Sequence, residues 1–335
     1  MPSNVILPER VELARRATPF QLLTRASERW GRGQRIWVKR DDLTGTTLTG
    51  NKVRKLEYFV AHAQANGIDS LITCGGAQSN HARATAAVCA QQGWHCELIL
   101  RGATLEASGN TFLDRLFGAT IQLDPEPVYR RQLDQLLERC ADKLRGEGRK
   151  PLVIPTGGSN GIGIWGYVSA AQEILDDMSA EHIEHAYVIT ATGSGGTQAG
   201  LTLGMDLASA AVEVIGIAVC DNSGWFNRKV LHDVAEARQW MPELPELTRQ
   251  PITFDDYVGP GYGVAGPEIY ALIAELASLE GLVLDPVYTA KAFYGMLDLI
   301  KNGALAAHKD IVFVHTGGIF GLFPHHEHMD ALLDR

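Results

Sequence analysis

The chain has 335 residues, enough for about two domains of roughly 150 residues each. Hydrophobic residues make up 45% and charged residues 21%, a composition that suits packed cores and excludes a disordered chain. A formal net charge of -9 leaves no electrostatic footprint for nucleic acid or an anionic membrane surface.

Glu9, Arg10, Glu12, Arg15 and Arg16 interrupt any signal-peptide core near the start, and no window approaches the roughly 18 apolar residues of a membrane helix. A soluble, cytoplasmic protein is expected. The 5 cysteines (Cys74, Cys89, Cys96, Cys140 and Cys220) form no C-x-x-C and suit no zinc or disulfide framework, so buried reduced thiols are expected.

In chain order, the first informative segment is Lys39-Arg40-Asp41-Asp42, followed by Gly50-Asn51-Lys52-Val53-Arg54-Lys55. Lys52 stands at a predicted loop-to-helix junction, crowded by Arg54 and Lys55. Neighbouring cations and burial lower an amine pKa and favour the neutral nucleophile that attacks an aldehyde. That makes Lys52 eligible without separating it from Lys39 or Lys55, and a solvated surface lysine is the ordinary alternative.

Ser70-Leu71-Ile72-Thr73-Cys74 reads as a strand entering Gly75-Gly76, with a small-residue helix over 79–92. Ser79 and Asn80 sit where that helix begins. They are either an ordinary N-cap or, with Gln78 and His81, donors facing a carboxylate or a cofactor oxygen. A strand over 96–100 and a charged helix over 130–145 follow. Strands over 152–155 and 187–190 then enter Thr156-Gly157-Gly158 and Thr192-Gly193-Ser194-Gly195-Gly196-Thr197.

The second of these turns carries the strongest physical signal. Its glycines let successive N–H groups converge, its hydroxyls add donors, and the helix behind it favours an anion. It is neither a Walker A loop nor a dinucleotide fingerprint, so a monophosphate is the expected guest. Strands over 212–218 and 311–314 complete the pattern, the latter running into Thr316-Gly317-Gly318. Asp285-Pro286-Val287-Tyr288 reads as a loop that opens a helix. Short apolar strands alternating with helices predict an α/β fold with mostly parallel sheets, and ligands beyond the strands' carboxyl ends. His325-His326-Glu327-His328 suits a solvated polar segment better than an ion site, so no metal is assigned.

Taken together, seven segments resemble the D-cysteine desulfhydrase and 1-aminocyclopropane-1-carboxylate deaminase family. They are VKRDDL from Val38, GNKVRKLE from Gly50, CGGAQSNHARATA from Cys74, TGSGGTQAG from Thr192, GPGYG from Gly259, DPVYTAKA from Asp285 and HTGG from His315. The resemblance implies the two-domain fold-type II architecture of tryptophan synthase β, each domain a mostly parallel sheet flanked by helices. A small domain (53–165) is inserted into a large one (1–52 plus 166–335), with pyridoxal 5'-phosphate in the cleft and a homodimer as the usual assembly.

It further implies that Lys52 holds the cofactor as a Schiff base beside Asn51, that Asn80 meets the phenolic oxygen, and that Gly193, Ser194, Gly195, Gly196 and Thr197 cradle the phosphate. Gln78, Ser79, Asn80 and His81 meet the substrate carboxylate. Tyr288 stacks on the ring and Tyr262 is a second active-site tyrosine, with the base among Lys52, Ser79 and the tyrosines. Thr289 and Thr316 face the ring nitrogen.

Ring-opening deaminases of the family carry a glutamate where this chain has Thr289. Without that charge the ring is a weaker electron sink, which suffices for β-elimination. The implied reaction is D-cysteine to pyruvate, hydrogen sulfide and ammonia. Its rivals are sulfite release from L-cysteate, chloride release from chloroalanine, true cyclopropane deamination, and a non-catalytic phosphate-ligand binder.

Overall fold

The computed structural model describes residues 7–105 and 107–333; the outermost parts of the expected large domain, 1–6 and 334–335, lie outside the described residues. Among the described residues ten strands run in chain order: β1 (Phe20–Leu22), β2 (Ile36–Lys39), β3 (Ser70–Gly76), β4 (His95–Arg101) and β5 (Thr120–Asp124), then β6 (Pro151–Val153), β7 (Ala186–Thr192), β8 (Val212–Ala218), β9 (Ile252–Phe254) and β10 (Asp310–Val314). They form a six-stranded sheet, β1-β2-β10-β7-β8-β9, and a four-stranded sheet, β5-β4-β3-β6. Among the strands of the described residues only β1 pairs antiparallel. The chain thus leaves the larger sheet after β2, builds the smaller one, and returns.

Central strands are buried on both faces, which explains their apolar runs: every residue of β7 is buried, as is every residue of β2. One core packs Ile36, Ile189, Ile217 and Phe313 against the helices Pro267–Glu280 and Thr289–Lys301. The opposite face packs Trp37, Val188 and Val312 against the helices Trp165–Ala180 and Gly196–Leu207. Those last two helices touch closely. A Cβ on Gly204 would stand 2.5 Å from that of Ala171.

Register sets where ligands can bind. Val314 lies beside Lys39, and Thr192 beside Ala218, so the carboxyl ends of β2, β10, β7 and β8 emerge on one side. No visible linker marks the passage between the sheets. The helix Asn51–Ala65 runs across position 52/53 and packs on the helix Trp165–Ala180, which starts at the second crossing. No helix among the described residues is long and apolar enough to cross a membrane.

Candidate active site

A cavity of about 530 Å³ opens beyond those carboxyl ends, walled by both sheets' loops. Lys52 reaches it from the first turn of the helix Asn51–Ala65. That turn is anchored by Asn51, whose N–H donates to Thr316 O at 3.0 Å and whose Nδ2 donates to Thr197 Oγ1 at 3.0 Å. The approach requires glycine. Gly50 has φ +100°, and a Cβ there would stand 2.6 Å from Thr316 O; one on Gly317 would stand 2.6 Å from Gly50 Cα. Burial, reinforced by the Arg83 charge and opposed by Asp285, lowers the Lys52 pKa to about 8.

The loop after β7 forms the far wall. Ser159 Oγ is its hub: it meets Ser194 Oγ at 2.8 Å, accepts the Gly196 N–H at 3.1 Å and accepts Lys55 Nζ at 3.0 Å. Burial holds the Lys55 amine well below its ordinary pKa, with Lys52 and Lys229 adding repulsion and Asp233 opposing it. Lys229 Nζ donates to Ser159 O at 3.0 Å and to Asp233 Oδ1. Glycine N–H groups, hydroxyls and a helix N-terminus therefore converge beside two lysine amines, Lys229 paired with Asp233 and Lys55 pushed toward its neutral form. That donor set suits an anion.

Ser79 both N-caps its helix, accepting the Ala82 N–H at 3.2 Å, and lines the cavity. Asn80 lines it too, its Oδ1 held by Asn110 Nδ2 at 3.0 Å. Beside them His81 is buried, and neither ring nitrogen has a partner among the described residues. Burial, with Lys52 and Lys55 nearby, keeps its imidazole neutral, well below the ordinary histidine pKa. Tyr262 and Tyr288 meet hydroxyl to hydroxyl at 2.5 Å with rings at 76°. Burial raises the pKa of both. Thr316 completes the wall.

Of the residues singled out from sequence, three lie off this lining. Gln78 instead clamps the segment ahead of the helix Gly109–Leu116: its Nε2 donates to Ser108 O at 3.1 Å and its Oε1 accepts the Asn110 N–H at 2.9 Å. Gly196 presents only its backbone, through Ser159. Thr289 turns to Asp285, donating its hydroxyl to Oδ1 at 2.7 Å. Sequence reasoning gave no role to Ser159, Lys229, Arg101 or Asp285, and did not separate Lys55, although its i,i+3 spacing from Lys52 puts both on one helix face. Four cysteines are buried as expected; Cys220 is only half-buried, in the cavity wall. His325 accepts or donates at Tyr270 OH, 3.1 Å away, on the outer layer.

The donor set fits a pyridine aldehyde phosphate. An amine of lowered pKa, a donor-rich loop and aromatic hydroxyls share one cavity, and Thr192 Oγ1 is buried there without a partner among the described residues. Residues 11–317 match the family described as pyridoxal-phosphate dependent enzyme. The chain belongs to that family. It is 42% identical to a putative 1-aminocyclopropane-1-carboxylate deaminase of Thermotoga maritima, over 94% of this chain and 97% of that protein. It is 40% identical to a D-cysteine desulfhydrase of Klebsiella pneumoniae, over 96% and 97%. A crystal structure of a 1-aminocyclopropane-1-carboxylate deaminase homologue superposes with a TM-score of 0.87 at 38% identity, covering 97% of this chain and 96% of that one. Membership makes this a pyridoxal-phosphate-dependent enzyme of the D-cysteine desulfhydrase and cyclopropane deaminase group, with the two-sheet α/β fold of fold-type II.

Proposed function

We propose that the enzyme is a lyase that eliminates the β-substituent of a small amino acid, with D-cysteine giving pyruvate, hydrogen sulfide and ammonia. The carrying observation is the meeting of Lys52, the Ser159-centred cradle and the Tyr262–Tyr288 pair in one cavity. Lys52 would hold the cofactor through its amine, and the Gly193–Thr197 loop with Lys55 and Lys229 would hold its phosphate. The bound cofactor supplies an electron sink for charge developing at Cα.

The protein's own groups then do the following. Ser79 and Asn80, at the open start of the helix Asn80–Gln92, hold the substrate carboxylate. Lys52 Nζ, its pKa lowered to about 8 by burial, would take the Cα proton. The Tyr262–Tyr288 pair passes a proton at the other end of the substrate. Thr316, in the cavity wall, would offer the ring nitrogen a hydroxyl rather than a carboxylate, and Thr289 is spent on Asp285; both would favour elimination over ring opening. We also assign 53–165 as the small domain within 1–52 plus 166–335.

The test is pyruvate release from D-cysteine, L-cysteine, L-cysteate and chloroalanine, run beside 2-oxobutyrate release from the cyclopropane amino acid. Pyruvate with little 2-oxobutyrate is expected. Dominant 2-oxobutyrate overturns elimination in favour of ring opening.

A further inference from the structure

The carboxyl end of β4 puts one more charge on the cavity wall. Arg101 lies over the Tyr262 ring, Cζ 4.7 Å from its centroid, and 5.9 Å from that of Tyr129. Its side chain is 22% exposed. Among the described residues one carboxylate comes within 4.0 Å of it, Glu126 at 3.8 Å, and that group is bonded to Arg130 at 2.7 Å. A guanidinium stacked on aromatic faces is stiff, keeps its edge donors available, and suits an oxyanion. Largely out of water, its charge acts strongly on whatever enters the cavity.

Its direction is fixed by β3. Successive residues of a strand face opposite sides. A Cβ on Gly75 would stand 2.6 Å from Ser79 Oγ, whereas one on Gly76 would stand 3.3 Å from Tyr262 Cε1 and 3.9 Å from Arg101 Nε. Ser79 and Arg101 therefore address the cavity from opposite sides of the strand end. Both line the one cavity, so a small amino acid with its carboxylate at Ser79 leaves Arg101 for its other end.

We propose that Arg101 receives the β-substituent and holds the sulfur anion that leaves, so that the site also accepts small amino acids carrying an anionic oxyacid, such as a sulfonate, at that position. This rests on the elimination reading. In the step, the Cα–H bond breaks and its proton goes to Lys52, while the Cβ–S bond breaks and its electron pair leaves with sulfur. Cysteate then gives sulfite, and cysteine gives hydrosulfide, held in either case by Arg101. The three-carbon enamine takes up water and becomes pyruvate and ammonia.

Two measurements on the holoenzyme test it, using Arg101→Met and Arg101→Lys. The first is the calorimetric affinity for 3-sulfopropanoate (cysteate without its amine, and so unreactive) and for propanoate. The second is the kcat/KM ratio of cysteate to chloroalanine. Removing a charge-assisted contact is expected to weaken 3-sulfopropanoate binding and lower that ratio about ten- to a hundredfold, with lysine restoring part of both. Equal weakening of propanoate would place Arg101 on the carboxylate and overturn the proposal, as would no weakening. If 3-sulfopropanoate binding depends on Arg101 but no β-substituted amino acid yields pyruvate, the elimination reading fails while the anion subsite stands.

Discussion

Two buried ionisable residues carry opposite lessons about pH. Lys52 has its pKa lowered to about 8 because burial penalises the ammonium more than Asp285 repays. The reactive form is the neutral amine, so attachment of cofactor to the apoenzyme is expected to accelerate close to tenfold per pH unit below about 8 and to level off above it. Stopped-flow absorbance measures this, and a rate still climbing toward the ordinary lysine value of 10.5 contradicts it. Lys52→Ala is expected to abolish the covalent cofactor band. Asp114 is the converse. Burial pushes its carboxyl up to about 8 against the pull of Arg83, and neither oxygen has a partner among the described residues. A folded-state pKa above the unfolded one means the folded protein holds the extra proton, so stability falls as pH rises from the ordinary carboxylate range toward 8. Asp114→Asn cannot ionise. Urea unfolding should find it matching wild type in acid and more stable by at least about 1 kcal/mol at alkaline pH; an equal effect at both pH values refutes the assignment.

Among the elements, the helix Thr289–Lys301 shows how a cap positions chemistry. Asp285 accepts four donors: Val287 N–H at 2.9 Å, Tyr288 N–H at 3.0 Å, Thr289 N–H at 2.9 Å and the Thr289 hydroxyl at 2.7 Å. Asp285→Ala orphans buried donors and is expected to cost about 2–4 kcal/mol in denaturant unfolding and to loosen Tyr288 and cofactor. Thr289→Val removes two bonds, the hydroxyl's own to Asp285 Oδ1 and the one it accepts from the Asp285 N–H at 2.8 Å, and should cost about 1–2 kcal/mol while leaving the carboxylate's three N–H contacts in place; losses of equal size would show that the cap is not what holds Tyr288. This cap was partly legible, since Pro286 and the preceding apolar run marked a helix opening. Strands β3, β4, β7, β8 and β10 were legible for a simple reason: they are largely buried on both faces, so apolar residues dominate them. β9 is a three-residue edge, half-buried throughout, and β5 alternates Ile121 and Leu123 with polar residues, so neither stood out. Ser159 was invisible because its importance lies in contacts with Ser194 and Lys55, 35 and 104 residues away. Lys52 was eligible by chemistry and became specific only with the ordered motifs.

For the whole molecule, the cavity draws its walls from both sheets: Asn80 and Arg101 from the smaller, Gly193–Thr197 and Tyr288 from the larger, Lys52 at the crossing. A ligand held by both halves stabilises the folded arrangement by mass action, about 2.7 kcal/mol at a hundredfold excess over its Kd. The phosphate cradle and the amine are separate parts of that grip, and they can be separated experimentally. In Lys52→Ala the covalent bond is gone but Ser159, Lys55 and the Gly196 N–H remain. Pyridoxal phosphate is therefore expected to raise the melting temperature of both wild type and Lys52→Ala, and pyridoxal, lacking the phosphate, to raise only that of wild type, and by less. Differential scanning fluorimetry with the two cofactors decides it. If pyridoxal protects Lys52→Ala as well as its phosphate does, the loop after β7 is a structural turn and not an anion cradle. If neither protects wild type, the two halves are not joined through this cavity.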